Sequence, residues 1–100
     1  MATVYNASYS RVGEVELDGT VRNSSYTRVG VVESDGTVRN SSYSRVGKVE
    51  SSGRILNSAY ATAGYVEGSV IRNASYTRVG EVSGASVYHA GGAALLLLPI

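Results

Sequence analysis

Five tyrosines mark out a repeat that governs this chain. Tyr9, Tyr26, Tyr43 and Tyr60 are each 17 residues apart, and Tyr76 follows after 16. The units read SYSRVGEVELDGTVRNS (8–24), SYTRVGVVESDGTVRNS (25–41), SYSRVGKVESSGRILNS (42–58), AYATAGYVEGSVIRNA (59–74) and SYTRVGEVSGASVYHA (75–90). A tandem repeat constrains architecture before any single residue does. Each short unit has an apolar face that it cannot bury alone and must cover with its neighbours. The 100 residues suffice for a single repeat domain, 1–100. All eight aromatics are Tyr, and Val, Thr and Ile dominate the repeats, which is a strand composition punctuated by Gly and Asp-Gly turns.

Within a unit the signals are those of a β-hairpin. Asp35-Gly36 lies between two β-prone runs, and a three-residue loop 34–36 sets Val32 opposite Val38. The same register sets Val15 opposite Val21, Glu14 opposite Arg22, Val49 opposite Ile55 and Glu50 opposite Arg54. In the last two units the loop shortens to a Gly-first turn, which still matches Val66 with Ile71 and matches Val82 with Val87. Flanking pairs that survive a change of loop length favour hairpins. If residues 25–28 also form a loop, Val21 faces Val32. The result is a row of aliphatics on one sheet face, from Val15 through Val82 to Val87, with a polar opposite face. Val12 and Val15 break simple alternation. A bulge at the recurrent Gly13, Gly30, Gly47, Gly64 and Gly80 would turn both valines inward.

Thr3-Val4-Tyr5-Asn6-Ala7 matches a second strand, and Leu95 and Leu98 fall where Val29 and Val32 fall in the repeat. The expectation is therefore a sixth hairpin split between 93–100 and 1–7. Strand 94–98 would pair with 3–7 and remove both sheet edges, with up to twelve strands in the ring. The Gly91-Gly92 hinge offers a second arrangement, in which the Leu-rich tail turns inward as a plug. The fold class is all-β: hairpin repeats of about 17 residues in an antiparallel meander closing into a ring or flattened barrel. A stacked parallel β-solenoid is the competing fold.

Hairpin units of the form V-G-x-V-E-x-D-G-x-V-R-N, closing on a small-residue and apolar tail, resemble the bacterial β-flower proteins. That resemblance covers residues 3–90 through the repeats and 91–100 through GGAALLLLPI. It implies a four-fold or five-fold ring of hairpins and carries no activity. The short fourth and fifth loops, and Ala61-Thr62-Ala63 in place of Ser-Arg-Val, depart from the pattern. Five petals plus a plug and six petals with one split both fit.

The net charge is +1, from nine basic and eight acidic residues spread evenly, so no basic stripe marks a nucleic-acid binder. With no Cys, neither disulfides nor thiolate metal sites arise. The start shows no signal-peptide pattern, so the cytoplasm is the default compartment, and AALLLLPI is too short to span a bilayer. His89, the one His, sits in the Asn slot of the repeat, and no oriented partner accompanies it. Asp18 and Asp35 have a sufficient role in turns. Glu16, Glu33, Glu50 and Glu67 would need to converge within a few ångströms to hold a cation, so neither metal nor cofactor is expected. Asn6-Ala7-Ser8, Asn23-Ser24-Ser25, Asn40-Ser41-Ser42 and Asn73-Ala74-Ser75 read as glycosylation sequons, and more simply as turn residues accepting backbone hydrogen bonds. The candidate ligand-binding set is Tyr9, Arg11, Tyr26, Arg28, Tyr43, Arg45, Tyr76 and Arg78, an aromatic and basic rim for a sugar or an anion; Thr62 breaks the Arg series. The alternative for these residues is Tyr packed over the hairpin base and Arg paired with a nearby Glu. The sequence thus points to a non-enzymatic structural or interaction module, with a lectin-like ring as the alternative. Partners are a glycan, a protein or further copies joined through the terminal strands.

Overall fold

Each repeat folds into two strands because its Val-rich halves alternate inward and outward on either side of a turn. The computed structural model describes residues 2–100; Met1, part of the 1–7 segment assigned to a closing repeat, lies outside them. The strands are β1 (Ala2–Asn6), β2 (Arg11–Val15), β3 (Thr20–Asn23), β4 (Arg28–Val32), β5 (Thr37–Asn40), β6 (Arg45–Val49), β7 (Arg54–Asn57), β8 (Thr62–Glu67), β9 (Val70–Asn73) and β10 (Arg78–Ser83). One helix, α1 (Val87–Leu97), follows them. The strands form an antiparallel meander closed by β1 against β10, so the arrangement is a ten-stranded barrel and not a parallel solenoid.

The barrel has five petals: β2–β3, β4–β5, β6–β7, β8–β9, and a fifth made by β10 with β1. Four expected cross-strand pairs are present, Val15 with Val21, Val32 with Val38, Val49 with Ile55 and Val66 with Ile71. The fifth pair is Val82 with Val4, not Val82 with Val87. The split petal is therefore the fifth, and among the described residues there is no sixth. The 75–90 hairpin and the closing repeat 93–100 plus 1–7 are both corrected, since residues 87–97 are helical. Oligomers through a free 94–98 strand fall with them.

Neighbouring petals meet with a shift. Val21 lies opposite Gly30 while Arg22 lies opposite Arg28, so Val29 is the extra residue of a bulge. The shift recurs at every inter-petal pairing and corrects the expected Val21–Val32 apposition. The bulge turns Val12, Val29, Val46, Ala63 and Val79 toward the core. Asp-Gly turns then tie petal to petal. Asp35 Oδ1 accepts from the Thr37 N–H at 2.9 Å, and Gly36, at φ 94°, offers its carbonyl to the Val49 N–H at 2.9 Å. A Cβ on Gly36 would stand 2.3 Å from the Val49 oxygen, so only glycine allows both the turn and the neighbour. Hydrogen bonds from the backbone and then the hydroxyl of Thr37 hold the Asp35 carboxyl below its ordinary value.

The inner row of Val4, Val15, Val21, Val32, Val38, Val49, Ile55, Ile71 and Val82 is almost wholly buried. Valine alone cannot fill a barrel of ten strands; α1 occupies the space. Ser86 caps its N-terminus, accepting from the His89 N–H at 3.2 Å. His89 thus belongs to the helix, and Asn6 takes the Asn slot of the fifth petal. The middle of α1 is narrow: Ala90, Gly91, Gly92, Ala93 and Ala94 are buried. The last residues are wide, and the glycines of the wall receive them. A Cβ on Gly47 would meet Leu95, on Gly30 Leu96, on Gly13 Leu97 and on Gly80 Leu98, each within 2.8 Å. The four consecutive leucines therefore address four successive petals. Leu98 ends the helix, and Pro99 cannot continue it.

Glycine in a helix interior costs about 1 kcal/mol relative to Ala. At Gly92 packing overrides propensity, because a Cβ would stand 2.2 Å from Val32 Cγ2. Gly92→Ala should therefore destabilise the protein by about 1–3 kcal/mol in urea unfolding, as overpacking does. A gain in stability would mean that α1 does not fill the barrel.

Candidate functional site

The site is built from the loops joining one petal to the next. At the end of β5, Asn40 Oδ1 accepts from the N–H groups of Ser42 and Ser44 at 2.9 and 3.1 Å. The Asn40 carbonyl also accepts from the Tyr43 N–H at 2.9 Å. This closed loop forces Tyr43 to φ 66°, a left-handed conformation that bulky residues rarely adopt. Asn6, Asn23, Asn57 and Asn73 bind their loops the same way. Tyr9, Tyr26, Tyr60 and Tyr76 share the conformation, with φ between 64° and 68°. The repeat thus imposes one backbone geometry on five tyrosines, and each ring stays 56–61% exposed.

Arginines from the first strands hold four of the rings. Within each petal the guanidinium crosses to the Tyr at the far end of the second strand. Arg11 lies over Tyr26 at 4.8 Å, Arg28 over Tyr43 at 5.0 Å, Arg45 over Tyr60 at 4.5 Å and Arg78 over Tyr9 at 4.4 Å. Each guanidinium also donates to a loop carbonyl, of Ser24, Ser41, Ser58 and Ala7 respectively. Such contacts are worth about 0.5–1 kcal/mol at exposed sites, and they fix the ring's orientation. Arg11 pairs with Glu14 at 3.2 Å, so Glu14 serves Arg11 while Arg22, directly opposite it, pairs with Glu16 at 3.0 Å. In the second and third petals Val31 and Lys48 replace that acid; Arg28 Nη2 and Arg45 Nη1 are buried without a hydrogen-bond partner, as is Arg78 Nη2, although Glu81 lies 4.0 Å from it.

The eight candidate residues therefore all lie on one rim, but their assembly differs from a simple row. Each Tyr is more than half exposed with a guanidinium beside its ring, and the Tyr9 hydroxyl also donates to Glu81 at 3.1 Å. Sequence reasoning left out Tyr60, which completes the ring through Arg45; its place in the repeat was the available signal. The fourth petal departs most. Thr62 stands where Arg stands elsewhere, so Tyr76 meets Tyr65 edge-on at 4.9 Å, with Arg72 at 5.8 Å. Hydrogen bonding to Glu67 raises the Tyr76 hydroxyl above its ordinary value, and bonding from Arg72 and then Tyr76 lowers Glu67.

The other candidate chemistry is dispersed. Glu16, Glu33, Glu50 and Glu67 each pair with an arginine, at 2.8–3.5 Å. Among the described residues no group of three metal-ligating side chains converges, and no helix is long and apolar enough to cross a membrane.

The Asn clamp should be worth measuring at Asn40. Asn40→Ala leaves two loop N–H groups without their acceptor and should lower stability by about 1–2 kcal/mol in urea unfolding. Asn40→Asp, which keeps an oxygen there, should stay nearer the parent. Equal losses would show that the side-chain acceptor does not hold the loop.

The chain matches no curated protein and no solved structure. A family model described as "5-fold beta-flower protein" matches residues 1–98, which takes in every strand and α1. The five petals agree with that description, and the chain belongs to the 5-fold beta-flower protein family.

Proposed function

We propose that this protein is a non-enzymatic interaction module that binds glycans through its tyrosine rim. The observation that carries the reading is the five tyrosines, 56–61% exposed, each set in a left-handed loop that an Asn side chain ties down. An aromatic held in an unfavourable backbone conformation, with its ring outside the core, is better explained by contact than by folding. Tyr also presents a large rigid surface at small entropic cost. The arginines are already committed to stacking and to loop carbonyls, so the free chemistry of the rim is the aromatic face. Sugar C–H faces stack on such rings. Membership of a repeat family whose description names a shape and no activity supports the non-enzymatic part.

A second reading, anion binding, is favoured at the second and third petals alone. There Arg28 and Arg45 lack the acid that Glu14 supplies to Arg11. A sulfate or carboxylate would complete those guanidiniums.

Glycan-array binding separates the readings. The parent protein should bind neutral glycans, and changing Tyr26 and Tyr43 together to Ala should cut the signal at least about tenfold, as the loss of two anchor aromatics does. Signals confined to sulfated or acidic glycans and lost at high salt would favour the anion reading. Absence of any signal would sink both. Turnover on hydrolase substrates that His89→Ala abolishes would sink the non-enzymatic reading.

A further inference from the structure

The fourth petal breaks the repeat twice, and both breaks adjoin an unfilled wall glycine. Thr62 replaces the rim arginine, Ala63 replaces the inward bulge valine, and Gly64 is the wall glycine that no leucine fills. Leu95 to Leu98 serve the glycines of β6, β4, β2 and β10 in turn. The next petal around the barrel is that of β8, and the next residue is Pro99. The result is an open cleft of about 380 Å³ at the rim end of the barrel, within the range of about 300–1,000 Å³ typical of small-molecule sites.

Its lining defines a chemistry. Ala63, Leu95 and Ile100 supply apolar surface. Asn57 and Asn73 spend their Oδ1 atoms on loop N–H groups, which leaves each Nδ2 as a donor to present. Ala74 adds an acceptor. Its equivalents Ala7, Ser24, Ser41 and Ser58 all have their carbonyls taken by the petal's arginine, and Thr62 cannot reach as that arginine does. No charged side chain lines the cavity among the described residues. A ligand there needs an apolar face, hydroxyls to donate and oxygens to accept, and no charge.

We infer that the fourth petal holds a single subsite for one uncharged sugar ring, distinct from the five-fold tyrosine rim. This deepens the glycan reading and rests on it for the ligand class. Arg54 Nε already donates to the Thr62 hydroxyl at 2.7 Å, so a cationic ligand would meet like charge beside the lining, and no carboxylate lines it.

The test uses variants that restore the repeat, so the other petals show that the fold tolerates them. Amide NMR spectra of the intact protein are recorded during titration with methyl glycosides of glucose, galactose, mannose and N-acetylglucosamine, and with ethylguanidinium. For at least one glycoside, saturable shifts are expected at Ala63, Ala74 and Ser75. Ala63→Val and Thr62→Arg should each abolish them while the rest of the spectrum stays that of the folded parent. Ser75 also lines the cavity; Ser75→Ala, which removes its hydroxyl and copies Ala59 of the preceding loop, should keep the fold and weaken binding severalfold. The Tyr26 and Tyr43 double change should leave these shifts in place, so that failure of the rim and failure of the subsite read differently. The inference is overturned if no glycoside gives saturable shifts, if ethylguanidinium alone does, or if the shifts persist in both repeat-restoring variants.

Discussion

Everything in this protein depends on the fit between α1 and the inner wall of the barrel. A ring of ten short strands encloses more space than a row of valines can fill. The helix fills it by being narrow where the wall is wide with Val and Ile, and wide where the wall is reduced to Gly. Gly92 against Val32 and Leu96 against Gly30 are two halves of the same exchange. An α1 of 11 residues containing two adjacent glycines would be marginal in water on its own. The barrel supplies the burial that makes it a helix, and the helix supplies the core that keeps the barrel from collapsing.

The ring has five petals, and a helix has no five-fold symmetry. Four leucines answer four wall glycines, and the chain turns out of its helix before a fifth. A symmetric shell around an asymmetric plug must leave a mismatch somewhere. The sequence concentrates it at the fourth petal, beside the one missing rim arginine. Elsewhere the petals are near copies, each with its Asn-clamped loop and outward Tyr. The same scaffold thus offers a repeated surface for many weak contacts and one irregular cavity for a single contact.

Closure by β10 and β1 has a further consequence. Arg78 reaches across the split petal to Tyr9 just as Arg11 reaches Tyr26 within an unbroken one. The rim is continuous although the chain is not, and both sheet edges are consumed by pairing.

Local sequence determined the hairpins. Val15 with Val21, Val32 with Val38, Val49 with Ile55 and Val66 with Ile71 follow from turn length and alternation, which act over a few residues. The rim residues were legible for the same reason, since equal places in a repeat receive equal geometry; Tyr60 needed only that rule applied through the broken Arg series. The tail was legible only in part. Read by repeat position, 94–98 is a strand, while Gly91-Gly92 and the four leucines also allowed an inward plug; that the plug is a helix was not legible. Only the closed ring makes it a helix, by leaving an apolar interior in which backbone groups must bond to one another. The tertiary structure likewise decided which petal is split, which residues bulge and where the cavity opens. Each of these depends on strands far apart in the chain meeting around a shared core, and no window of sequence contains that information.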